Sequence, residues 1–89
     1  MNNENEKKLS DLVSWQLKVR DYLKLRKKLH ALSFEDISNR LKETGIHQSR
    51  ENLSYKFQTG KISTALFFSI LTVMGDDSVD LNEFNKITR

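Results

Sequence analysis

The chain has 89 residues, of which 30% are charged, and its formal net charge is +3 at pH 7. This length suffices for one small domain with a modest core. Cysteine is absent, which excludes disulfides and thiolate metal sites. The two histidines, His30 and His47, lack the spacing of metal ligands, and we expect both at the surface. The sequence therefore indicates no metal, cofactor or small-molecule ligand, and no arrangement typical of an enzyme.

The charges are unevenly distributed along the chain. From Lys18 to Lys61 there are eleven Lys or Arg and five Asp or Glu, whereas Asp76 to Glu83 contains four acidic residues and no basic one. A basic middle segment is typical of a protein that binds a polyanion such as nucleic acid. It is also what a solvated, lysine-rich helix face looks like, so charge alone leaves both interpretations open.

The first residues are polar, which predicts a flexible segment over 1–9 ahead of a single domain over 10–89. They lack the apolar run of a secretory signal, and no stretch reaches the ~18 apolar residues of a membrane-spanning helix. We therefore expect a cytoplasmic protein. With no proline and only three glycines, the chain favours an all-α fold, and five helices are predicted.

Helix one is predicted from Ser10 to His30. Apolar residues recur there at steps of three or four, which indicates one buried helix face. They are Leu12, Trp15, Val19, Tyr22, Leu25 and Leu29. Leu17 and Leu23 lie off this stripe and suggest a second apolar face. Trp15 is interpreted as a core or dimer contact rather than as a ligand platform.

Helices two and three have clear start and stop signals. Ser33 and Asp36 have the spacing of a capping box, which predicts the start of helix two. Gly45 is expected to end that helix, where the backbone enters the left-handed region. Helix three is predicted from Ser49 to the residue before Gly60.

Helix four, from Ser63 to Gly75, is the most apolar segment and should form the centre of the core. We expect its buried side chains to meet those of helix three. The predicted set is Leu53, Phe57, Phe67, Ile70 and Leu71.

Helix five is predicted from Asp80 to Ile87, with the acidic residues of the tail capping its positive end. It is too short to bury its own apolar residues, which are Leu81, Phe84 and Ile87. We therefore expect a homodimer that pairs through these residues or through the first part of helix one.

The order of signals in helices two to four indicates a function. Over residues 32–75 the chain has a Leu-Ser start, an apolar residue followed by a small one, a Gly-apolar turn and a Gly-Lys exit. The residues are Leu32 and Ser33, Ile37 and Ser38, Gly45 and Ile46, and Gly60 and Lys61. This order resembles the helix-turn-helix of lambda-repressor-like regulators. Over residues 15–75 it is also similar to a family of small, uncharacterised bacterial proteins with an expanded version of the unit.

The resemblance implies a sequence-specific regulator of transcription, typically a repressor, that binds double-stranded DNA as a homodimer in a bacterium or mobile element. Helix three, near residues 49–59, would enter the major groove. The candidates for base reading are Gln48, Ser49, Arg50, Asn52 and Tyr55. The candidates for phosphate contacts are His47, Lys56, Lys61, Lys27 and Lys28.

Each of these residues also has a plainer interpretation. Arg50 next to Glu51 is equally a solvated pair, Asn52 an ordinary surface residue, and Tyr55 a side chain at the edge of the core. The turn between helices two and three is longer here than in the repressor pattern. The alternative function is therefore a protein–protein interaction module, an adaptor or inhibitor, on the same scaffold.

Overall fold

Five α-helices make up the part of the chain that the structure, a computed structural model, describes: the backbone of residues 4–87 and the side chains of residues 11–87. The helices are α1 (Glu4–Leu29), α2 (Phe34–Glu43), α3 (Arg50–Thr59), α4 (Thr64–Met74) and α5 (Leu81–Lys86). These residues contain no strand, and the all-α prediction is confirmed.

The observed start of α1, at Glu4, precedes the predicted start at Ser10. Residues 1–3 lie outside the described residues, and the flexible segment over 1–9 stays a prediction. None of the helices described within residues 4–87 is long and apolar enough to cross a membrane.

The core lies between α1 on one side and α2, α3 and α4 on the other, with α5 packed against α1. Its buried side chains are Tyr22, Leu23, Ile37, Leu41, Leu53, Phe57, Ile70, Leu71, Met74 and Phe84. Four of the five residues predicted to be buried together are among them. Phe67 is not, because it lies partly buried against the rim of this cluster. Truncating Phe67 should therefore cost less than deleting a fully buried ring.

The buried face of α1 differs from the predicted stripe. Leu23 is fully buried although the spacing placed it off the stripe, whereas Leu12, Trp15 and Leu29 are 66%, 49% and 60% exposed. The reason is that α1 is contacted from two sides, by α3 and by α4 with α5. Residues 11–15 are all exposed, so the stripe continues past the helices that cover its middle.

The predicted starts of α2 to α5 are confirmed. The Ser33 amide donates to the Asp36 carboxylate at 2.9 Å, and the Asp36 amide donates to the Ser33 hydroxyl at 3.0 Å, which completes the capping box. The bond from the Ser33 amide holds the pKa of Asp36 below its usual range. Ser49, Ser63 and Asp80 cap α3, α4 and α5, each with a side-chain oxygen that accepts a bond from a backbone amide of the first turn.

Two of the glycines end helices for different reasons. Gly45, after α2, has a φ of +87°, and a Cβ added there would meet open space. Gly60, after α3, has a φ of +74°, and an added Cβ would overlap the carbonyl oxygen of Gln16 in α1. The Gln16 amide also donates to the carbonyl oxygen of Thr59 at 2.9 Å. The end of α3 is therefore fixed against α1, whereas glycine is required at position 45 for its backbone conformation alone.

Gly45→Ala is expected to lower the free energy of unfolding by about 1–2 kcal/mol, because a Cβ disfavours the left-handed conformation. Gly45→Asn should cost less, since asparagine adopts this conformation more readily than alanine. Denaturant unfolding of both variants measures the difference. Equal stability of Gly45→Ala and the unaltered chain would contradict the prediction.

Candidate functional site

The predicted recognition helix, α3, has one buried side and one exposed side. Leu53 and Phe57 are fully buried in the core that α3 forms with α1 and α2. On the opposite side Asn52 is exposed, and Tyr55 is 52% exposed. The hydroxyl of Ser49 accepts a bond from the Asn52 amide at 3.0 Å. Ser49 therefore serves as the helix cap, and the outer face of α3 is polar.

The turn before α3 brings candidate residues together with two residues of α2. His47, Gln48 and Ser49 line a shallow depression with Ser38 and Lys42. The Ser38 hydroxyl donates to the carbonyl oxygen of Gln48 at 2.7 Å, which ties this turn to α2. The side-chain oxygen of Gln48 is buried without a hydrogen-bond partner among the described residues. Gln48 is therefore partly buried in the turn, whereas His47 is exposed.

Arg50, in the first turn of α3, lies at the surface. Its side chain is 63% exposed, and Nη2 lies 3.5 Å from a carboxylate oxygen of Glu51, whose side chain is 76% exposed. Exposed pairs of this kind contribute about 0–1 kcal/mol. Arg50 can therefore turn toward another anion at little cost, while Glu51 places one negative charge on the same turn.

The lysine candidates form two groups around α2 and α3. Lys56 is partly buried in the last turn of α3, and Lys61 is exposed just after that helix. Lys27, in the last turn of α1, has its ammonium 4.4 Å from the centre of the ring of Phe34, the first residue of α2, and Lys28 is exposed next to it. The lysine candidates therefore lie in two separate places, at the end of α3 and beside the start of α2, and do not form one cluster.

The sequence reasoning did not place Lys42 on this surface. Lys42 is exposed and lies four residues after Ser38, on the same face of α2. The spacing of four residues between Ser38 and Lys42, immediately before the Gly45 turn, indicates that both lie on one face of α2. The neighbouring Arg40 does not join the depression, because its guanidinium donates to the carbonyl oxygen of Val73 in α4 at 2.9 Å.

Arg26 in α1 and His30 just after it bind two acidic residues of the tail, Asp76 and Glu83. Arg26 donates to the Asp76 carboxylate at 2.6 Å and 3.0 Å and lies 3.3 Å from Glu83. His30, expected at the surface, is partly buried, with Nε2 2.8 Å from Asp76. That expectation was wrong because the partner of His30 is distant in sequence. Of the acidic residues expected to cap α5, Asp80 does so, while Asp76 and Glu83 pair with Arg26.

The cluster of Arg26, His30 and Asp76 determines where the negative charge of the tail lies. The Asp76 side chain is only 6% exposed, and bonds from Arg26 and then from His30 hold the pKa of its carboxyl below the usual range despite burial. The acidic tail is therefore an ionised partner of α1. Since α5 packs against α1 alone, these negative charges lie away from α3.

Comparison with known sequences places the chain in a family. Residues 15–79 match the family described as a domain of unknown function, DUF6471. The chain belongs to the DUF6471 family. No curated protein and no solved structure matches it. The DUF6471 match contains every candidate site residue and ends before α5. The resemblance to lambda-repressor-like regulators stays a prediction.

Proposed function

We propose that this DUF6471 chain is a sequence-specific regulator of transcription, acting as a repressor in a bacterial cytoplasm, that binds double-stranded DNA with α3 in the major groove. The observation that supports this most is the exposed polar side of α3, held outward by the burial of Leu53 and Phe57. An α-helix with its side chains is about 10–12 Å across. The major groove of B-DNA is about 12 Å wide, so α3 fits it.

The first turn of α3 offers the groups that read base edges. The guanidinium of Arg50 can donate two bonds to O6 and N7 of guanine, and the amide of Asn52 can pair with adenine in the same bidentate way. Tyr55 lies one turn further along the exposed side. The amides of the first turn and the helix dipole favour a phosphate near Ser49.

The lysines around α2 and α3 supply contacts that do not depend on base sequence. Lys42 and His47 lie in the depression at the start of α3, and Lys61 lies beyond its end. Each phosphate that is neutralised releases counterions, so binding should weaken steeply as salt is added.

Selection of bound sites from random double-stranded DNA tests the proposal, followed by affinity measurements on the selected site. Arg50→Ala should weaken binding by about 1–3 kcal/mol and relax the preference at one base pair. Lys56→Ala should instead weaken all sequences alike and reduce the salt slope by about one. Lys86→Ala, an exposed lysine on α5, is the matched control and should change neither quantity.

Selection without enrichment, or binding that does not depend on salt, would overturn the proposal. The second candidate is then the protein-interaction module. Two observations favour it: the exposed carboxylate of Glu51 in the first turn of α3 and the large exposed apolar side chains Leu12, Trp15 and Leu81.

A further inference from the structure

The exposed side of α4 carries no charge. None of the eleven residues of α4 is charged, although 30% of the whole chain is. Ile70, Leu71 and Met74 are buried on one side, while Phe68 on the other side is 51% exposed. We call this other side the α4 face, and it consists of Ala65, Phe68, Ser69 and Thr72. A surface helix normally presents charged residues to water, and the α4 face departs from this pattern, since it is uncharged and carries an exposed ring.

The polar atoms of the α4 face already have partners within the helix. The Ser69 hydroxyl donates to the carbonyl oxygen of Ala65 at 2.8 Å, and the Thr72 hydroxyl donates to that of Phe68 at 2.8 Å. Burying a hydroxyl is costly when its donor is left unpaired. The α4 face can therefore be covered by an apolar surface without leaving these donors unsatisfied.

Phe68 stands between two recesses. One, of about 560 Å³, lies between α4 and the segment that follows it; Leu71 and Val79 line it on its apolar part and Asp76, Asp77 and Ser78 on its polar part. The other, of about 310 Å³, lies toward the α2–α3 turn, with Ile46 in its lining. Both volumes fall within the ~300–1,000 Å³ typical of sites that take up a small molecule, so either recess has room for a phenyl ring. The α4 face thus has both a projecting ring and a place to receive one.

Opposite charges flank the two ends of α4. Lys61 is exposed three residues before the first residue of the helix, and Asp77 is exposed three residues after its last. In an antiparallel pair of α4 helices, Lys61 of one copy lies toward Asp77 of the other at both ends. A surface that pairs with itself about a twofold axis must be complementary to itself in this way.

We propose that two copies of the chain pair through their α4 faces in an antiparallel arrangement, with Phe68 of each copy in a recess of the other. This pairing does not depend on DNA binding. Within the chain α3 packs against α1 and α2 and not against α4; of the candidate DNA contacts, Lys61 is the one that also takes part in this pairing.

The pairing differs from the dimer expected through α5. Phe84, one of the residues expected there, is buried. Its ring lies 5.8 Å from that of Trp15 and 5.5 Å from that of Tyr22, centre to centre. Phe84 therefore makes its contacts within the chain, and it is not available for an interface between two copies of α5.

Sedimentation of the whole chain at ~50 μM, where micromolar affinity populates the dimer, tests the pairing. The expected mass is twice the 10.4 kDa of one chain. Phe68→Glu should give a monomer, because two carboxylates would be buried near the axis. Leu81→Glu is the matched control, since Leu81 is 65% exposed on α5, and it should stay dimeric. Thr72→Arg, at a second exposed position of the α4 face, should also give a monomer and covers the case in which Phe68→Glu does not fold.

Charge reversal tests the antiparallel arrangement. Lys61→Asp and Asp77→Lys should each raise the dimer dissociation constant several-fold, and the double variant should restore it. Both single variants lie outside the core, so circular dichroism should show unchanged helix content.

A monomeric unaltered chain at this concentration overturns the proposal. So does a dimer that survives the substitutions in the α4 face, or one that Leu81→Glu dissociates. DNA binding is measured separately: a monomer that still selects DNA sites leaves the proposed function standing, and a dimer that selects none leaves the pairing standing.

Discussion

Phe57→Ala is expected to lower the free energy of unfolding by about 3–5 kcal/mol. Phe57 is fully buried, and its ring stands edge-on to that of Phe34, with the centres 5.1 Å apart. The substitution removes this contact and leaves a cavity beneath α3. Because small domains have only about 5–15 kcal/mol of stability in total, the variant should be close to the limit of folding at room temperature.

Denaturant unfolding followed by circular dichroism measures this loss. Tyr55→Ala is the matched control, because it removes a ring from the same helix at a position that is 52% exposed. It should cost less than about 1 kcal/mol. Similar losses in the two variants would contradict the orientation of α3, and with it the assignment of an outer, polar side.

The limits of α2 to α5 could be predicted because they depend on residues within four positions of one another. Ser33 and Asp36 form the capping box that their spacing indicates, and Gly45 has the left-handed backbone expected of it. The composition of α4 likewise predicted two of its buried residues, Ile70 and Leu71. Such features follow from local sequence whatever packs around them.

The buried face of α1 could not be predicted as well. Tyr22 and Leu23 are adjacent, so no single stripe contains both, yet both are buried because α3 and α5 cover different sides of the helix. Trp15 fits the periodicity but is 49% exposed, although its ring stacks on that of Phe84. Which of two overlapping stripes is buried depends on where the other helices pack against α1. The spacing of residues within α1 gives no information about those positions.

For the candidate site, the outer positions of α3 followed from those of Leu53 and Phe57 by helical geometry, which is why Asn52 and Tyr55 are exposed as expected. The involvement of Lys42 and Ser38 depends on how α2 meets the turn before α3. The cluster of Arg26, His30 and Asp76 links positions 46 and 50 residues apart. No local spacing signals such a contact, so the sequence led to the wrong expectation for His30.

Asp76→Asn is expected to lower the free energy of unfolding at pH 7 by about 2–4 kcal/mol. Removing one partner of a buried pair typically costs about 3–5 kcal/mol. Here Arg26 is 22% exposed and keeps its contact with Glu83, so part of that cost is offset. Asp77→Asn, at the exposed neighbouring position, is the matched control and should stay within about 0.5 kcal/mol of the unaltered chain.

The cost of Asp76→Asn should also depend on pH. Since bonds from Arg26 hold the pKa of Asp76 below its usual range in the folded chain, the ionised carboxylate stabilises the fold fully above the pKa of an unfolded aspartate, about 3.9. This contribution is lost as the pH falls through the lower, folded pKa. Denaturant unfolding at pH 7 and at several values below about 4 should show the difference between the unaltered chain and Asp76→Asn narrowing with acid. A difference that stays constant, or widens, would mean that the charge of Asp76 does not join α1 to the segment before α5.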